Sequence, residues 1–268
     1  MIFIPGTGGN IIYFHPLVKK LKIGLPCFGI QALGLYDDFS PLNQISEIVE
    51  TYIKAIKEAG LKPPYHFLGH SLGAITVFEL VQALRKKEDI GQVILLDMMA
   101  PTKDSKPSHF PVNNQEWILY ALRHMERYLQ TPLVIDTAML SIANSEEKYE
   151  LFKQALVSAG VIPASTNREV VRKFVDVLIN NTLAYKNYCP TGKAMHPLHL
   201  VKASEIHDDD FRPEVLLHSP DWGWQQFADR VVVHQMSLGD HLSIFAEPAV
   251  NQLAEIIEQI FAQEIVNA

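Results

Sequence analysis

Short apolar runs alternate along the chain with segments in which apolar residues recur every three or four positions. The runs lie at residues 2–4, 27–32, 66–68, 93–96, 198–201 and 231–236. Most of them lack a strict alternation of apolar and polar residues, which is typical of strands that are buried on both faces of a parallel sheet. The pattern therefore predicts six buried β-strands.

The segments between these runs predict amphipathic helices at 13–23, 43–59, 72–87 and 248–262. Gly60 follows the second of these segments and is expected to end its helix, whereas Pro248 begins the last one. Strands and helices then alternate along the chain. This order predicts an α/β fold with a mostly parallel sheet, right-handed crossovers and helices on both faces.

Residues 101–195 depart from this alternation, because no strand is predicted there. Three helices are predicted instead, at about 114–130, 145–159 and 167–188. Such a segment could simply cover the sheet, or it could form a lid over a pocket, and we favour the lid. We expect one domain of 268 residues, with a core at 1–100 and 196–268 and a helical lid insertion at about 101–195.

Composition excludes several classes of protein. An apolar content of 48% in 268 residues suits one large α/β domain, and a net charge of −7 argues against nucleic-acid binding. Two cysteines without a C-x-x-C pair predict neither a disulfide framework nor a metal site, and they favour the reducing cytoplasm. No apolar run approaches the roughly 20 residues that span a bilayer. The chain starts directly with a strand, so we expect a piece of a longer protein.

One serine lies between two glycines in the stretch FLGHSLG, residues 67–73. Ser71 is placed where a predicted strand meets a predicted helix, which is the context of a nucleophile elbow. Gly69 and Gly73 would allow the strand and the helix to approach closely. The Leu72 N–H at the start of that helix is then a candidate donor to a developing oxyanion. The alternative is that Ser71 is only a residue of a tight turn.

An activated serine needs a base and a group that orients the base. On a fold with this elbow, an acid and then a histidine follow the serine along the chain. Asp97 ends a predicted strand, and His241 follows the last one. Competing acids lie in the loop after the next strand, namely Glu205, Asp208, Asp209 and Asp210. We favour Asp97 because it directly follows an uninterrupted apolar strand.

A glycine-rich loop, PGTGG at residues 5–9, follows the first predicted strand. Glycines let the backbone turn its N–H groups towards a substrate, so the Thr7 N–H is the candidate second oxyanion donor. The alternative is a phosphate-binding loop, but the stretch lacks both G-x-G-x-x-G and the Walker lysine. Among neighbouring residues, His70 is expected to contribute to packing, and Met98 and Met99 to line a pocket.

Five stretches resemble the thioesterase domains of nonribosomal peptide synthetases and polyketide synthases. They are IFIPGTGGN, FGIQALGL, PPYHFLGHSLGAITVFELVQAL, VILLDMMAP and GDHLSIF, in that family's order. The resemblance implies an α/β-hydrolase fold, and the family habit of an acid directly after this strand supports Asp97. The long segment 101–195 is poorly matched and leaves the substrate open.

The resemblance also implies a reaction. A carrier protein, expected upstream in the same polypeptide, would present an acyl or peptidyl thioester on its phosphopantetheine arm, and the domain would need no cofactor of its own. His241 would activate Ser71, and water or an internal nucleophile would release the chain. The alternatives are a free-standing editing thioesterase, an esterase or lipase on small esters, and a scaffold that binds without catalysis.

Overall fold

A computed structural model describes residues 1–84, 90–103, 105–107, 109–206 and 214–267. The described residues form one parallel sheet with the strand order β2-β1-β3-β4-β5-β6. Its strands are β1 (Ile2–Ile4), β2 (Phe28–Gly29), β3 (Tyr65–His70), β4 (Ile90–Leu96), β5 (Leu198–Lys202) and β6 (Val231–Gln235). All six predicted strands are present, so the predicted parallel α/β fold is confirmed. The second is much shorter than predicted because it is an exposed edge strand that pairs only with β1.

Most of the predicted helices are confirmed by the structure. They are α1 (His15–Lys20), α2 (Ile45–Glu58), α3 (Leu72–Leu84), α4 (Asn114–Leu129), α5 (Thr137–Ile142), α6 (Ser145–Ser158), α7 (Arg168–Asn187), α8 (Glu214–Leu217) and α9 (Ala249–Asn267). The sequence analysis missed α5. Asp136 marks the start of this helix, and its side chain accepts hydrogen bonds from two N–H groups of the first turn. As predicted, Gly60 follows the end of α2, with a φ of +69°. Residues 85–87 of the third predicted helix lie outside the described ranges. No helix within those ranges combines the length and apolarity needed to cross a bilayer.

Two apolar cores cover the two faces of the sheet. Phe67 and Leu95 belong to the core beneath α2 and α3, whereas their neighbours Leu68 and Ile94 belong to the core beneath α1 and α9. All four side chains are fully buried. Successive strand residues point to opposite faces, so a strand that is covered on both sides is apolar throughout. This explains why the central runs show no alternation.

The helices α4, α5, α6 and α7 form a third apolar core between β4 and β5 in the chain. Ile118 of α4, Phe152 of α6 and Val175 of α7 are buried in it. The three helices predicted for this region are therefore present. The division of the chain into a core and a lid at residues 101 and 195 stays a prediction.

The turn from β3 to α3 is built on two glycines. A Cβ atom on Gly69 would lie 2.1 Å from the Gly73 carbonyl oxygen, and one on Gly73 would lie 2.2 Å from the Ile4 carbonyl oxygen. Backbone atoms cannot move aside as a flexible side chain can. The helix, its own strand and the neighbouring strand β1 can therefore meet at this depth only if both positions are glycine.

We expect Gly73→Ala to lower the free energy of unfolding by about 3 kcal/mol, because the added methyl group overlaps the β1 backbone. Gly160→Ala is the control, since Gly160 has a φ of +72° but no neighbouring atom within 4 Å. It should cost only about 1 kcal/mol of left-handed backbone strain. Urea unfolding measures both values, and equal losses would contradict the steric argument.

Candidate active site

The sheet register brings two candidate residues side by side. His70 of β3 lies opposite Leu96 of β4, so the next residues, Ser71 and Asp97, leave the sheet at the same edge. The Ser71 N–H donates to the Leu96 carbonyl at 3.1 Å. Both residues have a left-handed backbone conformation, with φ values of +56° for Ser71 and +50° for Asp97. Left-handed backbone is strained in a residue other than glycine, and such strain is concentrated at functional sites.

The Asp97 carboxylate is 1% exposed, and both of its oxygens have a hydrogen-bond partner. Its Oδ1 accepts from the Ala203 N–H at 2.8 Å, and its Oδ2 lies 2.8 Å from His241 Nδ1. Because a carboxylate only accepts, Nδ1 holds the imidazole proton. In the neutral form of the ring, the other nitrogen, Nε2, then carries no hydrogen and can accept a proton from a nucleophile.

The competing acids are placed differently. Glu205 is exposed to solvent, and Asp208, Asp209 and Asp210 lie outside the described residues. Asp240, next to His241, accepts from the Leu242 and Ser243 N–H groups, each at 2.9 Å, and so closes the turn that carries the histidine. The geometry therefore favours Asp97 as the partner of the imidazole.

Ser71 and His241 line the same two cavities. Within the described part of the chain, the Ser71 hydroxyl makes no hydrogen bond to His241. Such contacts are often long in a free enzyme and shorten when the substrate binds. The structure thus brings the predicted trio to one place, and the roles of its members stay a proposal.

Two backbone donors border the serine. Leu72 begins α3, where N–H groups have no partner within the helix. Thr7 lies in the loop after β1, and the Gly6 carbonyl accepts from the Gly9 N–H at 3.0 Å. In a trans peptide the N–H points away from the C=O, so this bond fixes the direction of the Thr7 N–H. Thr7 and Leu72 both line a cavity with Ser71.

His70 has a polar role that the packing interpretation missed. The imidazole is 3% exposed, its Nε2–H donates to the His241 carbonyl at 2.8 Å, and its Nδ1 accepts from the Tyr13 hydroxyl at 3.2 Å. The same hydroxyl accepts from the Gly6 N–H at 2.9 Å. Burial holds the pKa of His70 well below its usual value, so the ring is neutral, as these bonds require. His70 therefore connects the glycine-rich loop to the loop of His241.

Helix α4 adds cationic and titratable groups to the same place. Arg127 lies 3.9 Å from the Asp240 carboxylate, which joins α4 to the turn before His241. Burial, followed by the charges of His241 and Arg127, lowers the pKa of His124 to about 4. His124 is therefore a neutral polar group at physiological pH. The sequence analysis missed both residues because nothing in the helical pattern distinguishes them from a solvated face.

Two cavities meet at Ser71, His241, Thr7, His124 and Leu242. The first, of about 310 Å³, has a polar wall that includes Tyr120, Arg123 and Arg127, and Met98 and Met99 line it as predicted. The second, of about 420 Å³, is mainly apolar. Its wall includes Leu156, Val161, Ile162, Val170, Val171 and Phe174. The serine therefore lies between a chamber with one polar wall and an apolar chamber.

A family model described as a thioesterase domain matches residues 1–261. The chain belongs to the thioesterase domain family. The chondramide synthase of Chondromyces crocatus is 22% identical over 262 residues, which are 95% of this chain but only 6% of that protein. This domain thus spans a small fraction of that curated relative.

Solved structures confirm the α/β-hydrolase fold of this thioesterase domain. A crystal structure of AB3403, a four-domain nonribosomal peptide synthetase, matches with a TM-score of 0.84 at 21% identity, covering 97% of this chain and 19% of that one. The Vlm2 thioesterase domain matches with a TM-score of 0.65 at 19% identity, covering 96% of this chain and 92% of that one. At these identities the likeness shows the fold.

Acid should destabilise the thioesterase domain through its buried histidines. Because the pKa of His70 is depressed in the folded state, the unfolded chain binds more protons once the pH falls below about 6.5. The pKa values of His124 and His199, both lowered to about 4, act in the same direction. We expect the free energy of unfolding to fall between pH 7 and 5, and His70→Gln to make that dependence shallower. Urea unfolding at several pH values tests this, and parallel curves would contradict it.

Proposed function

We propose that this thioesterase domain releases an acyl or peptidyl chain from the phosphopantetheine thioester of a carrier protein. The observation that supports this proposal most is the buried Asp97–His241 hydrogen bond of 2.8 Å at the edge of the cavities that Ser71 lines. A histidine held in this tautomer is a general base. The reaction that a thioesterase domain requires, acyl transfer to a nucleophile, needs such a base.

In the first half-reaction, His241 Nε2 takes the Ser71 proton while Oγ attacks the thioester carbonyl. The Thr7 and Leu72 N–H groups stabilise the resulting oxyanion. The C–S bond then breaks, and the departing sulfur takes the proton from His241. A Ser71 ester of the acyl chain and a free pantetheine thiol remain.

In the second half-reaction, water or an amine or hydroxyl of the acyl chain attacks the Ser71 ester. His241 takes the proton of this nucleophile and returns it to Ser71 Oγ as the ester bond breaks. Water yields a free acid, whereas an internal nucleophile yields a macrocycle. All the groups used are side chains and backbone N–H groups, so the proposal assigns the domain no metal or cofactor.

The proposed partner is a carrier protein in the same polypeptide. The curated relatives are multidomain synthetases, including a Bacillus subtilis polyketide synthase of which the matched region is 4%. A free-standing editing thioesterase is the second candidate, because the type II thioesterase BorB shares the fold, with a TM-score of 0.63 over 97% of this chain. Both candidates act on carrier-bound thioesters.

The two chambers suggest how the substrate lies. We place the acyl chain in the apolar chamber, where burial of hydrocarbon is favourable. The pantetheine arm, which has two amides, is then placed along the polar wall that includes Tyr120 and Arg123. The reacting carbonyl lies at Ser71, where the chambers meet.

Ser71→Ala should abolish covalent loading. After incubation with an acyl-pantetheine thioester, intact mass spectrometry should show the added acyl mass on the wild-type domain and none on the variant. Turnover should fall by about 1,000-fold or more in Ser71→Ala, and Asp97→Asn should reduce kcat by a similar order because the imidazole loses its tautomer. Cys189→Ser is the control, since this exposed thiol could exchange with a thioester without catalysis. Loading that survives when Ser71→Ala and Cys189→Ser are combined would refute the proposal.

Val161→Phe should fill the apolar chamber and select against long acyl chains. We expect kcat/KM to fall about tenfold or more for a long-chain thioester and to change little for an acetyl thioester. Val134→Phe is the matched control, because Val134 is 83% exposed and lies outside both chambers. An equal loss for both chain lengths would show that the acyl chain lies elsewhere.

A further inference from the structure

The glycine-rich loop of the active site has little intrinsic rigidity. Three of its five residues are glycine, at positions 6, 8 and 9, and glycine populates many backbone conformations. An oxyanion donor is effective only when its direction is fixed before the reaction. The direction of the Thr7 N–H therefore depends on the contacts that hold the loop.

On the N-terminal side of Thr7, the loop is held by its own half of the molecule. The Gly6 N–H donates to the Tyr13 hydroxyl at 2.9 Å, and the Gly6 carbonyl accepts from the Gly9 N–H at 3.0 Å. Gly6 also lies against the nucleophile turn, because a Cβ on Gly6 would be 3.1 Å from the Ser71 Cβ. These contacts hold one end of the turn and restrain the peptide that contains the Thr7 N–H.

On the C-terminal side of Thr7, the loop is held by helix α7. The Asn181 Nδ2 donates to the Thr7 carbonyl at 2.8 Å. One turn earlier, Val177 packs over the loop so closely that a Cβ on Gly9 would lie 2.7 Å from its Cγ1. Helix α7 thus supplies both a polar and a steric restraint. These restraints hold the peptide plane between Thr7 and Gly8.

Asn181 is an unusual choice for its position. It lies in the interior of a 20-residue helix and is 7% exposed. Asparagine is a poor helix former, and a buried amide is unfavourable unless it is hydrogen-bonded. Leu178, which is buried on the same side of the helix, is the kind of apolar residue that packing alone would favour. The hydrogen bond to the Thr7 carbonyl compensates for the cost of burying this amide.

We propose that Asn181 is a positioning residue that fixes the Thr7 oxyanion donor from helix α7. The peptide after Thr7 lies inside the turn that the Gly6–Gly9 hydrogen bond closes. Without the amide donor this peptide loses its restraint from α7, so the turn and the Thr7 N–H that it carries are held less firmly. Helix α7 therefore contributes to transition-state stabilisation through the backbone of the glycine-rich loop. This inference rests on the proposed function, which assigns Thr7 to the oxyanion hole.

The test compares two Asn181 variants with matched variants of the adjacent residue. Asn181→Leu keeps the size and removes the donor, and Asn181→Asp replaces the donor by a carboxylate. Asn180 is the control, because its Nδ2 donates at 2.8 Å to the Asp176 carbonyl within the same helix. Steady-state turnover of an acyl-pantetheine thioester gives kcat and KM, and urea unfolding reports stability.

We expect Asn181→Leu to lower kcat by about 10- to 100-fold with KM changed less than about threefold, since a weakened oxyanion donor acts mainly on the transition state. Asn180→Leu and Asn180→Asp should retain wild-type kcat. Asn181→Asp should recover activity relative to wild type as the pH is lowered, because a protonated carboxyl can again donate to the Thr7 carbonyl. A purely structural role would not produce this recovery.

A second readout separates this inference from the proposed function. A fluorophosphonate reacts with an activated serine, so its rate of labelling reports the serine and the oxyanion hole without a carrier substrate. If wild type is not labelled at Ser71, the proposed function fails and this inference fails with it. If wild type is labelled and Asn181→Leu is labelled equally fast, only the inference is overturned. The same holds if its loss of turnover lies in KM or in stability alone.

Discussion

The candidate site depends on one buried carboxylate. Asp97 is almost completely shielded from water, and an unpaired charge there would be strongly unfavourable. The fold compensates for this burial with the Ala203 N–H on one oxygen and the His241 imidazole on the other. The first partner comes from the end of the neighbouring strand, and the second comes from the loop after the last strand. Satisfying this carboxylate therefore positions three separate parts of the chain.

A second set of bonds connects the remaining parts of the site. Tyr13 and the neutral His70 link the Gly6 N–H to the backbone of His241, so that the glycine-rich loop and the loop of His241 share one buried network. A network of this kind is rigid only while each member is satisfied. Protonation of His70 would remove the acceptor that Tyr13 needs, because both ring nitrogens would then donate. The geometry of the site therefore depends on the His70 imidazole, which remains neutral.

The helices between β4 and β5 complete the site without belonging to the sheet. They pack on a core of their own, yet Arg127 contacts the turn of His241, and Asn181 contacts the glycine-rich loop. They also contribute residues such as Leu156, Val171 and Phe174 to the wall of the apolar chamber. Sequence variation in this region can therefore change the size of the apolar chamber, while a few polar contacts hold the glycine-rich loop and the turn of His241 in place.

The sequence by itself determined the architecture and the candidate trio. Buried parallel strands are apolar on both faces, and a strained serine turn needs small residues around it, so both features are visible as local patterns at residues 66–73. Asp97 and His241 followed from strand ends in the expected chain order.

Only the tertiary structure decided which distant groups meet. The amide of Asn181, the arginine of α4 and the imidazole of His70 each lie in helices or strands whose pattern is satisfied by ordinary packing. Their partners are backbone atoms or side chains far away in the chain, and a hydrogen bond to a distant backbone group leaves no mark on the local sequence. The sequence pattern likewise could not predict the shapes of the two chambers, because the shape of a cavity depends on how several helices pack together and not on the composition of any one helix.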